Sequence, residues 1–69
     1  MNDYSFLISM VGSLYQCSSD EEFVELWNAF CTLHEHSVIP DSIWLPFIAN
    51  CDDVMFDSEL GKVVDLRNL

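Results

Sequence analysis

Apolar side chains recur along this chain at spacings that divide it into three helical stretches and a short tail of different character. The clearest is the second stretch. Ser18 and Ser19 precede Asp20-Glu21-Glu22, so Ser19 with Glu22, or Ser18 with Glu21, fits a capping box. Acids in a first turn also suit the helix dipole. Phe23, Leu26, Trp27, Phe30 and Leu33 then follow at i, i+3, i+4, i+7 and i+10, while Glu21, Glu25, Asn28, Thr32 and Glu35 take the opposite face. The pattern predicts a helix ending near His36 and a loop over Ser37-Val38-Ile39-Pro40.

The first stretch predicts a helix from about Asp3 to Cys17, with Asn2 or Asp3 as its N-cap. On a wheel, Ser5, Ser9, Gly12, Ser13 and Gln16 gather on one side, and Tyr4, Phe6, Leu7, Ile8, Met10, Val11, Leu14 and Tyr15 cover the rest. That apolar arc spans about 200°, twice the usual core-facing stripe, so the helix is either sandwiched inside the domain or partly a partner surface. Gly12 in mid-helix costs about 1 kcal/mol of propensity and predicts close approach of another backbone.

The third stretch starts at Pro40, with Asp41 or Ser42 as cap, and carries Ile43, Trp44, Leu45, Phe47 and Ile48. A short helix to about Cys51 is expected, with Pro46 near enough to its start to do little harm or else interrupting it. In the tail, Val54-Met55-Phe56-Asp57 and Lys62-Val63-Val64-Asp65-Leu66 flank Ser58-Glu59-Leu60-Gly61. A helix over 57–66 competes here, but the β-branched pair and Gly61 favour a hairpin. The expected fold is mainly α: one small three-helix domain over residues 1–69 with a C-terminal β-hairpin at residues 54–66. Its expected core is Phe23, Leu26, Trp27, Phe30, Leu33, Leu7, Met10, Leu14, Phe47 and Ile48.

Charge changes the picture more than size does. The 69 residues hold 12 acids against 2 basic side chains, a net charge of −10. Lys62 and Arg67 are those two, and the stretch from Met1 to Gly61 has neither Lys nor Arg. Such a chain does not bind phosphate backbones through Lys and Arg, and it is repelled by anionic membranes. The net charge also exceeds the magnitude of about 2–8 that keeps a small domain soluble. The longest apolar stretch, from Tyr4 to Tyr15, contains serines and a glycine and is too short to span a bilayer. Three cysteines, Cys17, Cys31 and Cys51, cannot all pair within one chain, and Met1-Asn2-Asp3 has no positive n-region, so a cytoplasmic protein with reduced thiols is expected.

Candidate chemistry is sparse. Cys31, His34 and His36 form C-x2-H-x-H, but His36 points about 160° away from His34 on a helix and no paired C-x2-C accompanies them, so neither a metal nor a cofactor is expected. Cys31 with His34 lacks an orienting partner and an oxyanion hole, and neighbouring acids raise a thiol pKa. Asp52-Asp53 with Asp57 and Glu59 lacks the ligand order and turn glycine of a calcium loop. No phosphate loop, zinc-protease helix or nucleophile elbow occurs. An enzyme is not expected, because little chain is left to wall a pocket of about 300 Å³ once the core is filled.

The expected function is that of a small acidic inhibitor or regulator, docking carboxylates on the basic surface of a nucleic-acid-binding protein without itself touching nucleic acid or membrane. The carboxylates are Asp20, Glu21, Glu22 and Glu25 in one cluster and Asp52, Asp53, Asp57 and Glu59 in a second. In size, charge and lack of motifs the chain is similar to small acidic proteins that phages and mobile elements make against host nucleases, restriction enzymes or CRISPR complexes. No residue pattern identifies a family, so no site is carried over. The alternative is a helical oligomerisation or adaptor module. It would bind through apolar Phe6, Ile8 and Tyr15 of the first helix, with Trp44 as a further anchor and a homodimer as one form.

Overall fold

The computed structural model describes residues 3–68. Helices α1 (Asp3–Tyr15), α2 (Asp20–Glu35) and α3 (Asp41–Cys51) precede strands β1 (Val54–Asp57) and β2 (Lys62–Asp65), and a single 3-10 turn (Leu66–Asn68) follows. This is the mainly α domain with a C-terminal hairpin that the patterning predicts. The strands are antiparallel, with Val54 opposite Asp65 and Asp57 opposite Lys62.

Each boundary has a local cause. Asp3 is the first helical residue of α1, and Asn2, the other candidate cap, lies outside the described residues. α1 stops at Tyr15 rather than Cys17, because the Cys17 amide turns back to the Leu14 carbonyl at 3.2 Å in a tighter closing turn. The Ser19 hydroxyl then caps α2, accepting from the Glu22 amide at 3.1 Å. The return arm of the box is displaced by one residue. The Glu22 carboxylate accepts from the Ser18 amide at 3.0 Å and from its hydroxyl, not from Ser19.

At its other end α2 closes on a left-handed residue. Ser37 has φ 61, its amide donates to the His34 carbonyl, and the Val38 amide donates to the Leu33 carbonyl at 2.9 Å. This is a Schellman motif with serine where glycine is usual. It turns Ile39, read in the sequence only as loop, into the core, where it is fully buried. Leu33, expected inside, is exposed. Its turn of α2 is the last before the chain reverses, and Ile39 seals that end.

Neither Asp41 nor Ser42 caps α3. Pro40 occupies that position in an extended conformation with no side-chain cap, and its carbonyl accepts from the Ile43 and Trp44 amides. Pro46 sits inside the helix without breaking it. The bond it cannot donate would go to the Ser42 carbonyl, and both residues are exposed, where water serves. The hairpin turn is set by Asp57, whose carboxylate accepts from the Glu59 and Leu60 amides at 2.9 and 3.1 Å. Gly61 takes φ +69 and returns its amide to the Asp57 carbonyl, which excludes the competing helix over 57–66.

α1 packs mainly on α3 and touches β2, while α2 meets β1. Phe47 of α3 is the hub. It is fully buried, lies 5.5 Å from the Trp27 ring and 5.4 Å from the Trp44 ring, and takes Phe30 edge-on at 5.6 Å. Met10, Leu14, Phe23, Ile43, Cys51, Val54 and Val63 complete the enclosed core, with Leu7, Leu26, Trp27 and Ile48 half-buried against it. Gly12 has nothing within 4 Å of where a Cβ would stand, so no backbone among the described residues approaches it closely, contrary to expectation.

Candidate functional site

Two surfaces stand out, one acidic and one apolar. The acidic one is carried by α2 and the turn after α3. Of the carboxylates singled out in the sequence, three have work inside the fold. Glu22 caps α2, Asp57 builds the hairpin turn, and Asp53 lies 3.9 Å from Arg67. Asp20, Glu21, Glu25, Asp52 and Glu59 are exposed and make no side-chain hydrogen bond or ion pair among the described residues. Glu35, outside both predicted clusters, is in the same state on the last turn of α2.

The two predicted clusters are only partly brought together. Asp52 lines a shallow cleft of about 290 Å³ with Phe23, Val24, Trp27 and Asn28, which puts it beside the outward side of α2. Glu22 and Glu25 line a different cleft, with Cys17, Leu26 and Ala29. Asp57 and Glu59 sit on the hairpin with Met55, Phe56, Val64 and Leu66.

The cations barely offset this charge. Arg67 is consumed internally. It donates to the Ala49 and Asn50 carbonyls at 3.2 and 2.6 Å, where α3 leaves acceptors unpaired, and forks onto Asp65 at 3.2 and 3.0 Å. The guanidinium holds the Asp65 carboxyl below its ordinary range, and Asp65 in turn raises Arg67. Lys62 is exposed and makes no ion pair among the described residues.

The apolar surface belongs to α1. Ile8 and Tyr15 are 53% and 43% exposed, and Tyr4, not among the expected contact residues, is 72% exposed. With Leu7 and Val11 they wall an open groove of about 400 Å³ that ends at Asn50, Cys51, Asp65 and Arg67. Desolvation raises the Tyr15 hydroxyl pKa, and the nearby Asp65 adds to the rise. Phe6, expected on this surface, is half-buried on another side of α1, beside Ser9, Met10, Ser13 and Phe30.

Trp44, expected as an exposed anchor, is half-buried instead. Its place one turn before Phe47 rotates it towards α2, where it stacks on His34 at 4.6 Å, and it also stacks on Phe47 of its own helix at 5.4 Å. Leu45, its neighbour in sequence, takes the solvent side. His34 Nε2 also lies 2.8 Å from Asp41 Oδ1. That contact turns the ring towards a carboxylate and an indole. Burial raises the Cys51 thiol pKa, and burial with Glu22 raises that of Cys17, which keeps both protonated. Among the described residues no three His, Cys, Asp or Glu side chains gather where they could hold a metal ion, and no helix is long and apolar enough to cross a membrane.

No protein-family model, curated protein or solved structure matches the chain.

Proposed function

We infer that the protein is a binding module rather than a catalyst, and that its acidic side docks on a basic protein surface of the kind that otherwise holds nucleic acid. The reading is supported above all by the carboxylates left over once the fold has used its share. Asp20, Glu21, Glu25 and Asp52 project from α2 and the adjoining turn and make no ion pair among the described residues, while Arg67 is spent on Asp65 and the end of α3. A solubilising surface has no need to leave so many acids unbalanced. A ligand for a basic groove gains on-rate from them. A small inhibitor of a host nuclease, restriction enzyme or CRISPR complex, encoded by a phage or mobile element and working in the host cytoplasm, is one form this takes.

The test is retention of lysate proteins on the immobilised chain at low salt and at about 1 M salt, where the Debye length is about 3 Å. Glu21→Lys with Glu25→Lys, and separately Asp52→Lys, reverse the surface while sparing Glu22 and Asp57, whose loss would disturb the helix cap and the hairpin turn. A nucleic-acid-binding protein should be retained at low salt, released at high salt, displaced by DNA or RNA, and lost with the reversed charges. Retention indifferent to salt, to nucleic acid and to the reversed charges would end this reading. A second reading, association through α1, is favoured by a separate observation, the bare apolar stripe of Tyr4, Ile8 and Tyr15.

A further inference from the structure

Three bare side chains of α1, with the half-buried Val11 among them, form a pattern that fits one particular occupant. Tyr4, Ile8, Val11 and Tyr15 follow at spacings of four, three and four. At 100° per residue they fall within about 60° of the helix circumference, the geometry of a helix-pairing seam. Read in either direction the seam is the same: aromatic, β-branched, β-branched, aromatic. We propose that the protein self-associates as an antiparallel two-fold dimer through α1, with Tyr4 against the partner's Tyr15 and Ile8 against the partner's Val11. The inference concerns a different surface from the acidic one and stands or falls independently of it.

Charge selects both the surface and the partner. Two chains of net charge −10 repel, so they can meet closely only where carboxylates do not face one another. From Tyr4 to Ser19 there is no charged side chain, and at the end of the groove Asp65 and Arg67 neutralise each other at 3.0 Å. Orientation follows from the same argument. A parallel pair would set Asp3 against Asp3 and align the two helix dipoles. In the antiparallel pair each Asp3 lies beyond the partner's Tyr15, and the dipoles oppose.

Gly12 fits this arrangement. It flanks the seam, and the space around it is open, so nothing within the chain calls for a glycine there. A second helix laid on the seam approaches that side closely. The contact is small. Taking about 200 Å² for a whole aromatic side chain, Tyr4, Ile8 and Tyr15 leave roughly 300 Å² bare per copy. That is well below the size of a stable interface, so the association should be weak, with dimer accumulating only towards millimolar chain.

Sedimentation equilibrium from micromolar to millimolar chain tests the dimer, and salt distinguishes it from the acidic-surface reading. Raising salt screens repulsion between copies, so the dimer should tighten where binding to a basic partner weakens. Ile8→Glu should give a monomer at every concentration that still unfolds cooperatively, since Ile8 is half exposed and outside the buried core. Register is read by disulfide capture in a chain with Cys17→Ser, Cys31→Ser and Cys51→Ala, the last because Cys51 lies in the same groove as Tyr15. Tyr4→Cys mixed with Tyr15→Cys should cross-link, and Tyr4→Cys alone should not, because its two copies would sit about 16 Å apart along the helix axis. A monomer at millimolar concentration, a dimer indifferent to Ile8→Glu, or capture by Tyr4→Cys alone would each overturn the proposal.

Discussion

Helices α1 and α2 enclose equal shares of the core and offer opposite surfaces to whatever lies outside. α1 buries Met10 and Leu14, and α2 buries Phe23 and Phe30. Beyond those, α2 presents Glu21, Glu25, Asn28, Thr32 and Glu35 with only Val24 and Leu33 among them, while α1 presents Tyr4, Ile8 and Tyr15. An acidic outer face needs only water and accounts for itself within a single domain. An apolar outer face does not, because a core this small cannot cover an arc of about 200° on one helix. The two helices also keep their form by different means. α2 is held at its ends, by Ser19, Glu22 and the Ser37 turn, and α1 mainly by packing on α3.

The strongest blow to this contrast is Phe47→Ala. It removes the ring that Trp27, Phe30 and Trp44 share and should cost about 3–5 kcal/mol, comparable to the whole stability of so small a domain. Urea unfolding followed by circular dichroism should show all helices lost together. A separate later transition would mean that α1 and α2 do not share one core. Next in size is a pair of identical changes with opposite signs. Gly61→Ala places a side chain at φ +69 and should destabilise by about 1–2 kcal/mol. Gly12→Ala, with open space around an ordinary helical position, should stabilise by about 0.5–1 kcal/mol. Thermal melts of dilute protein check both, and a loss at Gly12 would reveal a contact within the chain.

Ser19→Ala, aimed at the end of α2, should cost about 1 kcal/mol and fray that helix first, which hydrogen exchange at Glu22 and Phe23 would register. The smallest effect concerns the strap that ends the α1 groove. Arg67 depresses the Asp65 carboxyl, so the folded chain binds that proton less readily than the unfolded one. The resulting stabilisation is present at neutral pH and is lost as pH falls below the ordinary value of 3.8 through the depressed one. Asp65→Asn should flatten that part of the pH–stability curve and leave the neutral-to-basic part unchanged.

Much of this was legible from residue order, and the reason lies in how local each signal is. A capping serine, an acidic first turn and a recurrence of Phe and Trp act within a few residues, so α2 was readable to within a residue at each end. Gly61 at the end of a four-residue connection likewise marked the hairpin, because a positive φ is a backbone requirement that glycine meets without strain. The candidate site was less legible. Eight acids could be named, but not that Glu22 and Asp57 serve as cap and turn, nor that Arg67 reaches back to Ala49 and Asn50.

What tertiary packing alone decided were the choices between equivalent apolar residues. Ile39 went inside and Leu33 outside, Trp44 turned onto His34 while Leu45 faced solvent, and Phe6 sank while Tyr4 stayed bare. Hydrophobicity is a property of the side chain and can be read from the residue alone. Burial is a property of position, set by the angle at which one helix crosses another and by where a closing turn aims the chain. On a chain with more apolar surface than one core can enclose, composition sets how much must remain outside, and only packing determines which residues those are: Leu45, Val38 and Leu60 singly, and Tyr4, Ile8 and Tyr15 together along one side of α1.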